Sequence, residues 1–177
     1  MNLIPGSPIW LIALLFAALA AAAIEDFIRL KISNVTCLVV LVSALVAMML
    51  HGFPISLWQN ALVFFVLLAV GTPLFAAGKM GGGDIKLLAC VGLWMNISDG
   101  VWLLATTLLA GGVIALLYLA SRLLPSRRER ESIKNRKIPY GLAIVAGASL
   151  VFAGQAGLLK PKPEKVNPLD VPVSSQI

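Results

Sequence analysis

Two aspartates in strongly apolar surroundings are the residues of this chain best suited to chemistry. Residues 1–24 contain no Lys, Arg, Asp or Glu, and Asp26 lies just beyond them. Asp84 directly follows Gly81, Gly82 and Gly83 at the edge of a second apolar block. A carboxylate beside hydrocarbon is costly unless it has a partner or a function. The two aspartates therefore form a candidate catalytic pair.

A close pair of carboxyl groups has a recognised chemistry. Two such groups cannot both ionise cheaply, so one keeps a proton while the other stays charged, and aspartic proteases use this arrangement to activate water. The glycines before Asp84 allow a close approach of the backbone or unusual dihedral angles. Asp84 would then lie at a helix start, where the dipole favours its ionised form. A flexible loop with a helix cap remains the alternative interpretation of this segment.

The composition is that of an integral membrane protein. Hydrophobic residues make up 59% of the chain and charged residues 12%, and the mean hydropathy is +0.94. Soluble domains carry about 25% charged residues. Both Cys37 and Cys90 lie in apolar stretches, which favours buried thiols over a disulfide or a metal site. These features exclude a large soluble domain.

A window of about 20 apolar residues, the length that crosses a bilayer, predicts an all-α polytopic fold with six transmembrane helices. Their predicted ranges are 8–27, 35–50, 56–77, 84–96, 101–124 and 138–159. Residues 96–100 are predicted to form a turn. We expect one membrane-embedded domain over residues 1–159 and a flexible, Pro- and Lys-containing tail over residues 160–177. A cleaved signal peptide is disfavoured, because no Lys or Arg precedes the first apolar stretch.

The basic residues are distributed unevenly among the predicted loops. Seven of the 14 Lys and Arg residues lie between Arg122 and Lys137, and the loops after the first and third spans are also basic. The loops after the second and fourth spans hold only His51 and Asp99 as ionisable residues. The positive-inside rule then predicts an N-out, C-out topology, although the lysines of the tail would lie outside. Nucleic acid is not an expected partner, because no aromatic residues are interleaved with the basic ones.

This topology gives both aspartates the same depth in the membrane. Asp26 ends the first span and Asp84 begins the fourth, both on the cytoplasmic side. The two carboxyl groups can therefore meet in a folded bundle.

Three segments, in this order, resemble the type IV prepilin peptidase family of intramembrane aspartic proteases. They are Asp26 with ISN at 32–34, GGGDIKL at 81–87, and IPYG at 138–141. The likeness extends over residues 10–157 and is greatest to the short prepilin peptidases of tight-adherence (Flp) pilus systems. Ser33 stands where the family usually has proline. A methyltransferase region with a zinc-binding cysteine cluster, as in the larger members, is not found in this chain.

The resemblance implies a specific activity. Asp26 and Asp84 would be catalytic, without any metal or organic cofactor. They would remove the short basic leader of a prepilin, after a glycine, at the cytoplasmic face of the bacterial inner membrane. We expect peptidase activity without methylation of the product. The partners implied are the prepilin-type substrate and membrane lipids, and the oligomeric state stays open.

Further residues are weaker candidates for shaping this site or binding substrate, beside Gly81, Gly82 and Gly83. Asn34 would cap the second helix or also line the site. Lys86 would neutralise the aspartate pair or contact a lipid phosphate. Pro139 and Gly141 would border the site or only begin the sixth helix. Glu25 is interpreted as a charge at the membrane rim, since adjacent helical residues project about 100° apart.

Two other functions are compatible with the sequence. A transporter or pilus-assembly subunit could use the aspartates for ion binding or packing. An intramembrane aspartic protease that acts on remnant signal peptides would share the pair without the preference for glycine.

Overall fold

The computed structural model describes residues 1–52, 55–78, 80–123 and 140–156, and these residues form helices and no strand. The helices are α1 (Ile9–Arg29), α2 (Asn34–Leu50), α3 (Trp58–Ala76), α4 (Gly82–Gly92), α5 (Ile97–Leu123) and α6 (Tyr140–Gln155). Short 3₁₀ turns at Ile4–Gly6 and Ile55–Leu57 precede α1 and α3. The prediction of an all-α fold is confirmed for the described ranges. The predicted tail, residues 160–177, lies outside them.

Three stretches of the described chain are long and apolar enough to cross a membrane: Ile9–Arg29, Ile55–Ala76 and Ile97–Leu117. The helices α2 and α6 are apolar but shorter, with 17 and 16 residues. The 11 residues of α4 extend only about 16 Å at 1.5 Å per residue, whereas the hydrocarbon core is about 30 Å thick. The fourth predicted span is thus a short helix, and six crossings stay a prediction.

The core of the bundle surrounds α4, which packs against α2, α3 and α6. Nearly every residue of α4 from Asp84 onward is buried, Lys86 being the exception, and Trp94 and Met95 just after it are fully buried. A helix that is apolar on nearly all sides is buried, either in a protein core or in a membrane. By contrast, α1, α3 and α5 expose many large apolar side chains, as expected for helices that face lipid.

Contacts between helix ends show that successive helices run in alternating directions. The side chain of Gln155, at the end of α6, donates to Asp99 Oδ2 at the start of α5 over 2.9 Å. Asn60, near the start of α3, donates to the Leu93 carbonyl just after α4 over 2.9 Å. At the other ends of these helices, Lys86 of α4 contacts Asn34 of α2, and Asp26 contacts Leu142 of α6. The helices α2, α4 and α6 therefore begin at one end of the bundle, which we call the aspartate end because Asp26 and Asp84 lie there. We call the other end the opposite end.

Two predicted helix starts need correction. Ser33, not Asn34, caps α2, because its hydroxyl oxygen accepts from the backbone N–H groups of Val35 and Thr36 at 3.0 and 3.4 Å. Asn34 is the first residue inside the helix. The turn predicted at 96–100 is instead the first turn of α5. Its N–H groups need acceptors, and the side chain of Asn96 accepts from the Asp99 N–H at 2.8 Å.

Candidate active site

Asp26 lies in the last turn of α1 and is only 3% exposed. Its Oδ2 accepts a hydrogen bond from the Leu142 N–H at 3.2 Å, and Gly141 packs against the same side chain. The Leu142 N–H belongs to the first turn of α6, where backbone donors lack partners within the helix. The Asp26 carboxyl group thus caps α6 from across the bundle.

Asp84 is the third residue of α4 and is 8% exposed. Its Oδ2 accepts a hydrogen bond from the Gly81 N–H at 3.1 Å. An acidic group in this position satisfies a free donor and interacts favourably with the positive end of the helix dipole. The prediction that Asp84 lies at the start of a helix is confirmed.

Ile32, in the connection between α1 and α2, links the surroundings of the two aspartates. A Cβ built on Gly83 would lie 2.9 Å from the Ile32 carbonyl oxygen, and one built on Gly141 would lie 2.8 Å from Ile32 Cδ1. The same Cβ on Gly141 would lie 2.9 Å from the Cβ and Cγ of Asp26. Two buried carboxyl groups on different helices are thereby brought together.

The three glycines before Asp84 are needed for space rather than for unusual dihedral angles. None of them has a positive φ. A Cβ on Gly81 would lie 2.6 Å from Asp84 Oδ2, one on Gly82 would lie 3.2 Å from a ring carbon of Phe75, and one on Gly83 would meet backbone. Close approach of the chain, one of the two roles predicted for this segment, is therefore the role observed.

Lys86 and Asn34 are both exposed and lie together at the aspartate end. Lys86 Nζ donates to Asn34 Oδ1 at 3.0 Å, which joins α4 to the start of α2. This contact was not among the roles predicted for either residue. Gly141 is buried against Asp26, as described above, whereas Pro139 lies outside the described residues.

Glu25 has a role that the sequence analysis missed. Its Oε2 accepts from the Ser33 N–H at 2.8 Å and from Thr36 Oγ1 at 3.0 Å. The signal was an acidic residue near the end of one helix, followed within eleven residues by the donor-rich start of the next. Nearby, the Cys37 thiol donates to the Gly83 carbonyl at 3.7 Å. Both contacts connect α2 with the segments that carry the aspartates.

The arrangement suits acid–base chemistry on a bound water. One carboxylate can accept a proton from the water while a protonated partner donates to a carbonyl oxygen. Within the described part of the chain, no group of three or more His, Cys, Asp or Glu side chains is arranged to hold a metal ion.

Comparison with known protein families shows to which family the chain belongs. A sequence profile of the type IV leader peptidase family matches residues 13–119, more than half of the chain. The chain belongs to the type IV leader peptidase family. The matched range includes both aspartates and the glycine segment but ends before Pro139 and Gly141. No curated protein and no solved structure matches the chain.

Family membership confirms the resemblance found in the sequence. Together with the apolar helices, it identifies the protein as a membrane-bound peptidase.

Proposed function

We propose that the protein is an intramembrane aspartic endopeptidase that removes the short basic leader from Flp-type prepilins. The observation that carries this proposal is the pair of buried carboxyl groups, Asp26 and Asp84, whose surroundings meet at Ile32 in a member of the leader peptidase family. Each carboxyl group accepts a backbone hydrogen bond at the start of a helix. Such groups are held in fixed positions, which general acid–base catalysis requires.

In the proposed mechanism a water molecule lies between the two carboxyl groups. Its oxygen attacks the scissile carbonyl carbon, its proton passes to the charged carboxylate, and the neutral carboxyl group donates its proton to the carbonyl oxygen. The carboxyl groups then exchange roles. A proton reaches the amide nitrogen, the C–N bond breaks, and the leader leaves as a free acid. This cycle requires no metal and no organic cofactor.

The proposed orientation has the aspartate end at the cytoplasmic face of the bacterial inner membrane, with six crossings and both termini outside. Arg29, Lys31 and Lys86 are exposed at the aspartate end, whereas Asp99 lies at the opposite end. This distribution supports the proposal, because basic residues favour the cytoplasmic side. A basic leader would then meet the site from the cytosol, while the apolar helix of the prepilin stays in lipid.

The remaining parts of the proposal concern the surroundings of the pair. Gly81, Gly82, Gly83 and Gly141 would shape the site through close backbone packing, and Asn34 and Lys86 would form its exposed edge. Pro139 would border the site before α6. The chain would act as one membrane-embedded domain over residues 1–159, with peptidase activity alone and no methylation of the product.

The test is cleavage of a prepilin by co-expressed peptidase in bacterial membranes, followed as a gel shift. The substrate carries a basic leader, a glycine before the cut, and Glu five residues after it. Asp26→Asn and Asp84→Asn should each reduce cleavage about 100-fold or more, since general acid–base groups contribute roughly 10²–10⁴-fold. The control is Asp99→Asn, which changes a carboxyl group at the opposite end and should leave cleavage unchanged.

Three outcomes would overturn parts of the proposal. Full cleavage by either aspartate variant would refute the catalytic assignment. Cleavage of remnant signal peptides in place of the prepilin would refute the substrate class. Prepilin left intact by the parent chain, with ion flux lost in both aspartate variants, would refute the peptidase mechanism and favour transport.

A further inference from the structure

Glu25 is an acidic residue at the aspartate end that the proposed mechanism does not use. It lies beside Asp26 in the chain, and its Oε2 accepts two hydrogen bonds from the start of α2. One donor is the backbone N–H of the capping residue Ser33, and the other is the hydroxyl of Thr36, which is 7% exposed. The side chain of Glu25 therefore connects the end of α1 to the beginning of α2 by hydrogen bonds.

The contact between Glu25 and the start of α2 is strong for a partly buried pair of groups. Hydrogen bonds to an ionised acceptor are about twice as strong as those between neutral groups. The start of α2 also carries free N–H groups and the positive end of the helix dipole, both of which favour a carboxylate. The connection between the helices is short and contains Leu30 at a φ of 52°, a conformation that costs a non-glycine residue about 1–2 kcal/mol. The hydrogen bonds between Glu25, before this connection, and Ser33 and Thr36, at its other end, hold the connection in place.

The corner between α1 and α2 touches both other segments of the site. Ile32 is 9% exposed and packs directly on Gly83 and Gly141. Gly83 precedes Asp84 in α4, and Gly141 contacts the Asp26 side chain. A shift of the corner would therefore move α4 and α6 relative to α1.

A second contact connects α4, the helix that carries Asp84, to the same corner. Lys86 lies two residues after Asp84 and donates to Asn34 Oδ1 at 3.0 Å. Both aspartate helices, α1 and α4, are thus hydrogen-bonded to the start of α2. In each helix the bond is made by a charged side chain close to the aspartate. The contact between Lys86 and Asn34 is exposed, and exposed polar pairs contribute little to stability. The more buried contact of Glu25 therefore contributes more to holding the start of α2.

We propose that Glu25 is a positioning residue whose carboxylate fixes the α1–α2 corner and thereby the separation of Asp26 and Asp84. It touches neither substrate nor the reacting atoms. The inference rests on the proposed function, because the pair that Glu25 positions is the proposed catalytic pair.

The kinetic test compares Glu25→Ala with Glu25→Gln in the full chain, with a prepilin substrate. Both donors reach the same oxygen, so a glutamine amide oxygen can keep both hydrogen bonds without the charge. A misplacement of about 1 Å can cost roughly 100-fold in rate. Glu25→Ala should therefore lower kcat about 10- to 100-fold with KM changed less than about twofold, and Glu25→Gln should keep most of the activity.

A second variant covers the case in which Glu25→Ala fails to fold. Thr36→Val removes one of the two donors while keeping the shape of the side chain, and it should lower kcat by a smaller factor. Where both variants fold, adding Thr36→Val to Glu25→Ala should cause little further loss, because the two changes remove the same interaction.

A third measurement reads the separation of the aspartates without relying on activity. Asp26→Cys and Asp84→Cys are combined in a chain whose native Cys37 and Cys90 are replaced by alanine, and a short dithiol-reactive reagent is added. Glu25→Ala should slow the cross-link at least about threefold, and Glu25→Gln should not. Cross-linking as fast in Glu25→Ala as in the parent, or equal slowing by both changes, would overturn the inference.

The two proposals fail in distinguishable ways. Inactive Asp26→Asn and Asp84→Asn variants together with an unchanged kcat in Glu25→Ala would overturn the positioning role and leave the proposed function standing. Active asparagine variants would refute the proposed function, and the cross-linking rates would still decide whether Glu25 sets the separation.

Discussion

A methyl group added at Gly141 would enter the space between α6 and the side chain of Asp26. The new Cβ would lie 2.9 Å from Asp26 Cγ, whereas ordinary contacts begin at 3.4 Å, so one group must move by about 0.5 Å. Since a misplacement of about 1 Å costs roughly 100-fold, half that shift predicts a fall in kcat of about tenfold for Gly141→Ala. Overpacking should also cost about 1–3 kcal/mol of stability.

The assay for Gly141→Ala is initial-rate cleavage of a prepilin in detergent or reconstituted membranes, together with thermal unfolding. The matched control is Gly112→Ala in α5, where a Cβ would meet no atom within 4 Å; this change should leave the rate unchanged and slightly stabilise the helix. Adding Ile32→Val removes Cδ1, one of the atoms that the new methyl group meets, but leaves Asp26 in place. We therefore expect no rescue by Ile32→Val.

Two results would refute this reasoning. Wild-type kcat in Gly141→Ala would show that the contact with Asp26 does not matter for catalysis. Full rescue by Ile32→Val would show that the loss comes from packing on Ile32 and not from displacement of the aspartate.

Two more predictions concern close contacts elsewhere in the bundle. Gly83→Ala should lower stability by about 1–3 kcal/mol and reduce cleavage, because its Cβ would lie 2.9 Å from the Ile32 carbonyl; Gly82→Ala should cost less, because its Cβ would meet only an aromatic side chain at 3.2 Å. The measurement is thermal unfolding and prepilin cleavage side by side, and an equal or larger loss in Gly82→Ala would contradict the ranking. Asn60→Ala should lower stability by about 1–3 kcal/mol, because it leaves the buried Leu93 carbonyl without a donor. It should not change the kcat of the protein that remains folded. A changed kcat would show that this contact at the opposite end affects the site at the aspartate end.

Much of the fold followed from simple sequence patterns. Hydropathy located the six helices found in the described residues, because long apolar runs have few alternatives to a helix in a membrane. The position of Asp84 in a first helical turn followed from the local glycine and aspartate pattern. The fourth span was predicted as a shorter one over residues 84–96, whereas α4 covers Gly82–Gly92, because apolar content alone does not show where a short buried helix ends.

The parts of the candidate site that depend on tertiary contacts were harder to foresee. The capping of α6 by Asp26 joins residues 116 positions apart, and no local signal reports such a pairing. Glu25 was interpreted as a rim charge from its projection around α1, but a long side chain can turn toward a neighbouring helix start. Lys86 and Asn34 were each judged separately, and only the packing of α4 on α2 shows that they contact one another.

Cross-linking of Asp26→Cys to Asp84→Cys, with the native Cys37 and Cys90 replaced by alanine, tests the central claim most directly. A short dithiol-reactive reagent should join the two positions rapidly in membranes, whereas the control pair Asp84→Cys with Asp99→Cys, at opposite ends of the bundle, should remain unjoined. No cross-link between positions 26 and 84 in a folded, membrane-inserted chain, or one no faster than in the control pair, would contradict a shared catalytic site.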